Sequence, residues 1–314
     1  MAIETRFSER GHLCLARFLT RFLRGEGGCM STRFHTTKIN GLDIFYREAG
    51  PTDGPAVLLL HGFPTSSWQY RNLIPALAGR YRVIAPDYPG FGHSAVPDRS
   101  EFDYTFANYA DLMKGLVDQL GIDRYAVYVF DYGAPVGFRL ALQAPEKVSA
   151  LIVQNGNAYE EGLREFWDPI KKYWGEDTEE NRRALTPVFA DEAIKSQYTT
   201  GVRDLARLDP DSWLHDSTQL DRQGNWDIQL DLFHDYGTNV TLYPQFQEYF
   251  RNYQPPTLIV WGRHDFIFPP DGAYPYLEDL PKADFHLLDT GHFLLEDKFD
   301  VAVPIMRDFL DRSI

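Results

Sequence analysis

The chain has 314 residues, 44% hydrophobic and 24% charged, which is ordinary globular composition and length enough for one large α/β domain with an insertion or for two smaller domains. A formal net charge of −14 repels phosphate backbones and argues against nucleic acid as a partner. No apolar run approaches a membrane span, so stable membrane insertion is not expected, and the only two cysteines, Cys14 and Cys29, leave the body without disulfide or thiolate chemistry, a usage that fits a reducing, cytoplasmic location.

Residues 1–30 differ from the rest. They carry Arg6, Arg10, Arg17, Arg21 and Arg24 but no lysine, and Leu15, Phe18, Leu19 and Phe22 share one helical face with Arg17, Arg21 and Arg24 opposite. That pattern reads as a targeting or membrane-surface helix, or as an extension upstream of a start at Met30-Ser31-Thr32. Glu4, Glu9 and Glu26 weigh against a transit peptide and favour the extension.

From Arg33 onward the spacing predicts two strands as a hairpin, Phe34–Ile39 and Leu42–Glu48, around Asn40-Gly41. Short apolar runs follow at Val57–Leu60, Arg82–Pro86, Tyr125–Phe130, Ala150–Val153, Leu258–Trp261 and Phe285–Leu288, with helical stretches such as Tyr104–Leu120 and Pro135–Gln143 between them. Buried strands alternating with helices predict a mostly parallel sheet covered on both faces. The alternation stops from about Gly156 to Arg251, where aromatic and charged residues are dense. This interval, 156–251, is expected to be a helical lid over the carboxyl ends of the strands, inserted into a core of residues 31–155 and 252–314.

Asp131 carries the most chemistry. It ends the run Tyr125–Phe130 and opens the small-residue stretch Gly133-Ala134-Pro135, the strand–turn–helix context of a nucleophile elbow. A carboxylate at that tip, in place of a serine, attacks saturated carbon and forms an alkyl ester of the enzyme. Other motifs close other predicted strands: His61-Gly62-Phe63-Pro64, Asp87-Tyr88-Pro89-Gly90, Trp261-Gly262-Arg263-His264-Asp265 and Asp289-Thr290-Gly291-His292-Phe293. The order is nucleophile, acid, histidine.

From Arg33 to the C-terminus the chain resembles the α/β-hydrolase superfamily, in the branch shared by epoxide hydrolases and haloalkane dehalogenases. The resemblance implies an eight-stranded sheet flanked by helices, with Asp131 as nucleophile, Asp265 as the acid and His292 as the base. The backbone N–H groups of Phe63 and Tyr132 would form the oxyanion hole. His292 would activate the water that hydrolyses the ester, with Asp265 holding the imidazole tautomer. His61, His93 and His264 read as loop residues. One departure is Val129, where the family usually has glycine; a side chain there is expected to crowd the turn.

The leaving group separates the branches. Dehalogenases of this kind usually draw donors from a Trp after the nucleophile and an Asn after His-Gly; here Tyr132 and Phe63 stand at those places. The arginines that hold a haloacid carboxylate are likewise absent at Tyr132, Ala134 and Pro135. An epoxide hydrolase needs lid tyrosines, and Tyr236 is the first candidate, with Tyr243 and Tyr159 as alternatives. Many lid tyrosines serve only as packing aromatics. Trp68, Tyr159 and Phe293 are candidates for substrate contact. The expected activity is therefore epoxide hydrolysis on a small apolar organic substrate, with water as co-substrate and no metal or cofactor. Alternatives are haloalkane or haloacid dehalogenation, and a small-ligand receptor on the same fold. Oligomeric state, a homodimer included, is left open.

Overall fold

The computed structural model describes residues 31–314, so the reading of residues 1–30 lies outside the described part. Eight strands form one sheet in the order β1-β2-β4-β3-β5-β6-β7-β8. β1 (Arg33–Ile39) and β2 (Leu42–Ala49) make the expected antiparallel hairpin, and β2 pairs antiparallel with β4 (Arg82–Pro86). β3 (Ala56–Leu60), β5 (Tyr125–Phe130), β6 (Val148–Gln154), β7 (Thr257–Gly262) and β8 (Asp284–Leu288) complete the sheet in parallel.

The central strands β3, β5 and β7 are buried at every residue, which is why they read as unbroken apolar runs. Alternate side chains feed two cores. Val127, Val129, Leu58 and Leu60 face one, together with α1 (Phe106–Gln119) and α2 (Gly133–Gln143). Ala126, Tyr128, Phe130, Val57 and Leu59 face the other, with the C-terminal helix, Phe299–Ser313. The Thr105 side chain caps α1 by accepting from the Asn108 N–H.

Between β6 and β7 the chain leaves the sheet. Residues 155–256 fold mainly as helices, including α3 (Asp168–Gly175), α4 (Asp191–Thr199), α5 (Pro210–Leu220) and α6 (Asn225–Tyr253). The insertion is tied to the core loops. The Trp167 indole donates to the Ile267 carbonyl at 2.8 Å, and Arg222 donates to the carbonyls of Gly90 and Gly92 at 2.8 and 2.9 Å. Among the described residues no helix is long and apolar enough to cross a membrane.

Candidate active site

Asp131 follows β5 directly and enters α2 through a left-handed backbone, φ +50°. That conformation is costly for a residue with a β-carbon and marks a position the surrounding structure enforces. The loop after β3 comes up against it. A Cβ on Gly62 would lie 2.3 Å from the Asp131 Cβ, so only glycine permits the approach. The approach brings the Phe63 N–H to Asp131 Oδ1 at 2.6 Å.

Val129 does not disturb this turn. It is fully buried, and the space for its side chain is left by α2: a Cβ on Gly137 would stand 2.4 Å from Val129 Cγ1. The crowding expected from the sequence is resolved one helical turn away.

His292 follows β8 and is buried, its ring 4.6 Å from that of Phe130. Its Nδ1–H donates to Asp265 Oδ2 at 2.7 Å. Nε2 is therefore the basic nitrogen; it has no hydrogen-bond partner and stands 4.0 Å from Asp131 Oδ2. Asp265, after β7, is held from every side. Its Oδ1 accepts from the N–H groups of Ile267 and Phe268 at 2.8 and 3.1 Å, and its Oδ2 also accepts from Asn155 Nδ2 at 2.6 Å.

Burial pushes the Asp131 carboxyl up to about 6. The His292 charge and the N–H groups of Phe63 and Tyr132 pull it down without cancelling that effect. Burial opposes the His292 imidazolium, but the charge and hydrogen bond of Asp265, with the charge of Asp131, outweigh it and raise the His292 pKa. His61 is different: burial lowers its pKa to about 4. Its Nε2 accepts from the Tyr88 N–H at 3.3 Å, and its Nδ1 donates to the Gly62 carbonyl at 3.0 Å, so this neutral ring organises the loop.

Beside Asp131 lies a narrow cavity, lined by Phe63, Tyr132, Phe166, Trp167, Gln197, Phe233 and Ile267. Core and insertion thus share one wall. Tyr236 and Tyr243 are buried on α6 with their hydroxyls 3.5 Å apart, and the Tyr243 oxygen accepts from Asn157 at 3.0 Å. Neither is part of the cavity lining, but the Tyr236 ring packs on Trp167 at 4.4 Å and on Tyr132 at 6.0 Å.

Three candidate contact residues lie outside the lining. The Trp68 ring is drawn away by stacking on His215 at 4.8 Å and by the Arg71 guanidinium 5.0 Å from its centre. Tyr159 donates to Asp279 at 2.6 Å. Phe293 stacks on Tyr198 at 3.8 Å and so supports the residue beside it, His292.

Sequence reasoning passes over two residues that matter here. Asn155 follows β6 as Asp131 follows β5, and it too has a positive φ, +45°. An Asn-Gly pair directly after a buried strand was the available signal. Gln197, on α4, carries no signal at all, because nothing in that helix distinguishes the residue facing the cavity.

The alpha/beta hydrolase fold family matches residues 55–299. The chain is 45% identical over 269 residues to an uncharacterized hydrolase of Saccharomyces cerevisiae, covering 84% of this chain and 92% of that one. Its fold is similar to that of an epoxide hydrolase from Vigna radiata, with a TM-score of 0.72 and 22% identity over 90% of this chain and 98% of the other. It is also similar to a haloalkane dehalogenase variant from Bradyrhizobium elkanii, with a TM-score of 0.73 and 22% identity over 90% and 99%. With Asp131, Asp265 and His292 following β5, β7 and β8 of an eight-stranded sheet, the chain belongs to the alpha/beta hydrolase fold family of enzymes.

Proposed function

We propose that this hydrolase opens epoxides through a covalent ester on Asp131. The observation that carries the reading is the pair of contacts around that carboxylate. Oδ1 is held by the Phe63 N–H at 2.6 Å, and Oδ2 faces the unpartnered Nε2 of His292 at 4.0 Å. A serine-type triad needs its base to deprotonate the nucleophile. An aspartate needs no such help, and a base set back from it suits a water attacking the ester.

In this reading Asp131 Oδ2 attacks a ring carbon, the C–O bond of the epoxide breaks, and the ring oxygen takes the phenolic proton of Tyr236. Solvent reprotonates the phenolate. Nε2 of His292 then removes a proton from water, and the hydroxide adds to the ester carbon. The charge on Oδ1 is met by the N–H groups of Phe63 and Tyr132. The tetrahedral intermediate collapses, the diol oxygen leaves with the proton from His292, and the Asp131 carboxyl releases the second water proton to solvent, balancing the one that restored Tyr236, so the carboxylate returns. The helical insertion acts as the lid that keeps bulk water from the ester. Trp167, the indole of the cavity wall, gives its N–H to the Ile267 carbonyl and so offers none to a departing halide. This supports an epoxide over a haloalkane.

The test is trapping. His292→Ala incubated with an epoxide panel should gain the mass of one substrate on the peptide holding Asp131, and Asp131→Asn should gain none. In oxygen-18 water the unmodified enzyme should incorporate label into the Asp131 carboxylate over repeated turnovers. A diol formed with no label ever reaching Asp131 means direct attack by water. Turnover of haloalkanes with no epoxide consumed would keep the nucleophile and move the substrate class.

A further inference from the structure

The cavity wall is apolar almost throughout, and the ester chemistry leaves Gln197 unused. This residue is 2% exposed, lines the same cavity as Asp131, and presents a buried side-chain carbonyl, Oε1, with no hydrogen-bond partner. Buried amide oxygens normally find a donor, because the water bonds lost on burial are otherwise not replaced. Phe63, Phe166, Phe233 and Ile267 have no side-chain donor and the Trp167 N–H is taken by the Ile267 carbonyl, while the wall's remaining donor, the Tyr132 hydroxyl, is itself buried and makes no hydrogen bond to Gln197 or to any other group. The helix that carries the amide is held in place beside it. Its neighbour Tyr198 stacks on Phe293 at 3.8 Å, with the rings 7° from parallel, and donates its hydroxyl to the buried carboxyl of Asp216 on α5. A polar group fixed on a clamped helix, facing a reaction centre and lacking a partner, is arranged for a partner that arrives with the substrate.

We infer that Gln197 determines specificity, by receiving a hydroxyl carried by the substrate. The preferred substrates are then small epoxides bearing an alcohol close to the ring, rather than plain hydrocarbon epoxides. This inference rests, for its turnover readout, on the ester chemistry proposed above. Aromatic walls favour an aryl or short alkyl group on the other side of the ring.

The experiment compares 3-phenylglycidol with its O-methyl ether, which has the same epoxide and no donor. The unmodified enzyme should favour the alcohol by roughly 10–100-fold in kcat/KM, mainly through KM, the range of one well-placed hydrogen bond. Gln197→Leu, which keeps the shape and removes the amide, should erase that preference, bringing kcat/KM for the alcohol to the level of the ether. Gln197→Glu, which keeps an acceptor, should retain it. A folded Gln197→Leu enzyme with an unchanged preference overturns the assignment. A second arm avoids chemistry altogether: titration of the enzyme with 3-phenylpropan-1-ol and its methyl ether. Tighter binding of the alcohol, lost in Gln197→Leu, supports the assignment even if no epoxide esterifies Asp131, in which case only the ester reading fails. Equal binding of alcohol and ether by the unmodified enzyme refutes the assignment, and ester trapping on Asp131 would still stand.

Discussion

His292 Nε2 and Asp131 Oδ2 face each other at 4.0 Å inside the protein, too far apart to hydrogen-bond and too close to titrate independently. Each charge supports the other, so the carboxylate and the imidazolium are favoured together in the resting enzyme. In the proposed mechanism, esterification of Asp131 removes the negative partner. The base therefore becomes easier to deprotonate at the step that needs it neutral.

A pH dependence follows from this coupling. With the Asp131 carboxyl raised to about 6 by burial, kcat/KM should fall about tenfold per pH unit below that value, as protonation removes the nucleophile. The His292 pKa should be lower in Asp131→Asn than in the unmodified enzyme, since one of the charges raising it is gone. Imidazole titration by NMR measures this directly. An unchanged or higher value in the variant contradicts the coupling.

Asn155 acts through Asp265. Its amide shares Oδ2 with His292 Nδ1, so its loss should let the carboxylate turn and carry the imidazole with it. Asn155→Gly accepts the positive φ and removes the side chain's two hydrogen bonds, the one to Asp265 and the one its Oδ1 accepts from the Gly262 N–H at 3.2 Å. We expect kcat to drop roughly 10–100-fold, the scale of one to two buried hydrogen bonds, with KM little changed and the ester accumulating during turnover. A variant that slows ester formation and hydrolysis equally would show a general loss of structure instead.

Tyr236→Phe should slow ring opening by roughly 10²–10⁴-fold, the worth of a positioned general acid. An alkyl halide reacting with Asp131 needs no proton, so any alkylation by such a probe should be spared. Tyr243→Phe should cost less, because that hydroxyl touches Tyr236 and Asn157. Stopped-flow measurement of ester formation separates these cases. Equal sensitivity of epoxide and halide to Tyr236→Phe argues against the acid role.

Gly137→Ala should destabilise the fold by about 1–3 kcal/mol, because the new methyl would be forced against Val129 at 2.4 Å. Val129→Ala in the same chain should recover most of that loss. Urea unfolding of the four members of the cycle gives the coupling energy, and strict additivity would show that the two side chains do not compete for one space.

The sheet and the residues at its carboxyl edge were legible because buried strands and strand-end turns have local signatures. The run Tyr125–Phe130 cannot be covered on one face only, and Asp131-Tyr132-Gly133 can only be a sharp turn into a helix. The insertion was legible as helical and little more. Trp68, Tyr159 and Phe293 satisfy the same description as Phe166, Trp167 and Phe233, namely an aromatic near the site. What sorts them is long-range pairing: His215 for Trp68, Asp279 for Tyr159 and Tyr198 for Phe293. The accommodation of Val129 by Gly137 was hidden for the same reason, since it depends on how α2 lies on β5.

Phe166 belongs to two surfaces at once. One side of it lines the cavity over Asp131, and it also lines an open groove on the outside of the protein with Arg164, Glu165, Phe266, Pro269 and Asp271. It is half-buried where its neighbour Trp167 is fully enclosed. The Phe166 ring lies between that groove and the Asp131 cavity, and we expect its rotation, faster than any displacement of the helices around it, to govern passage to the proposed nucleophile. Changes at this position should alter how quickly molecules arrive and depart, with the bond-making steps at Asp131 left as they are.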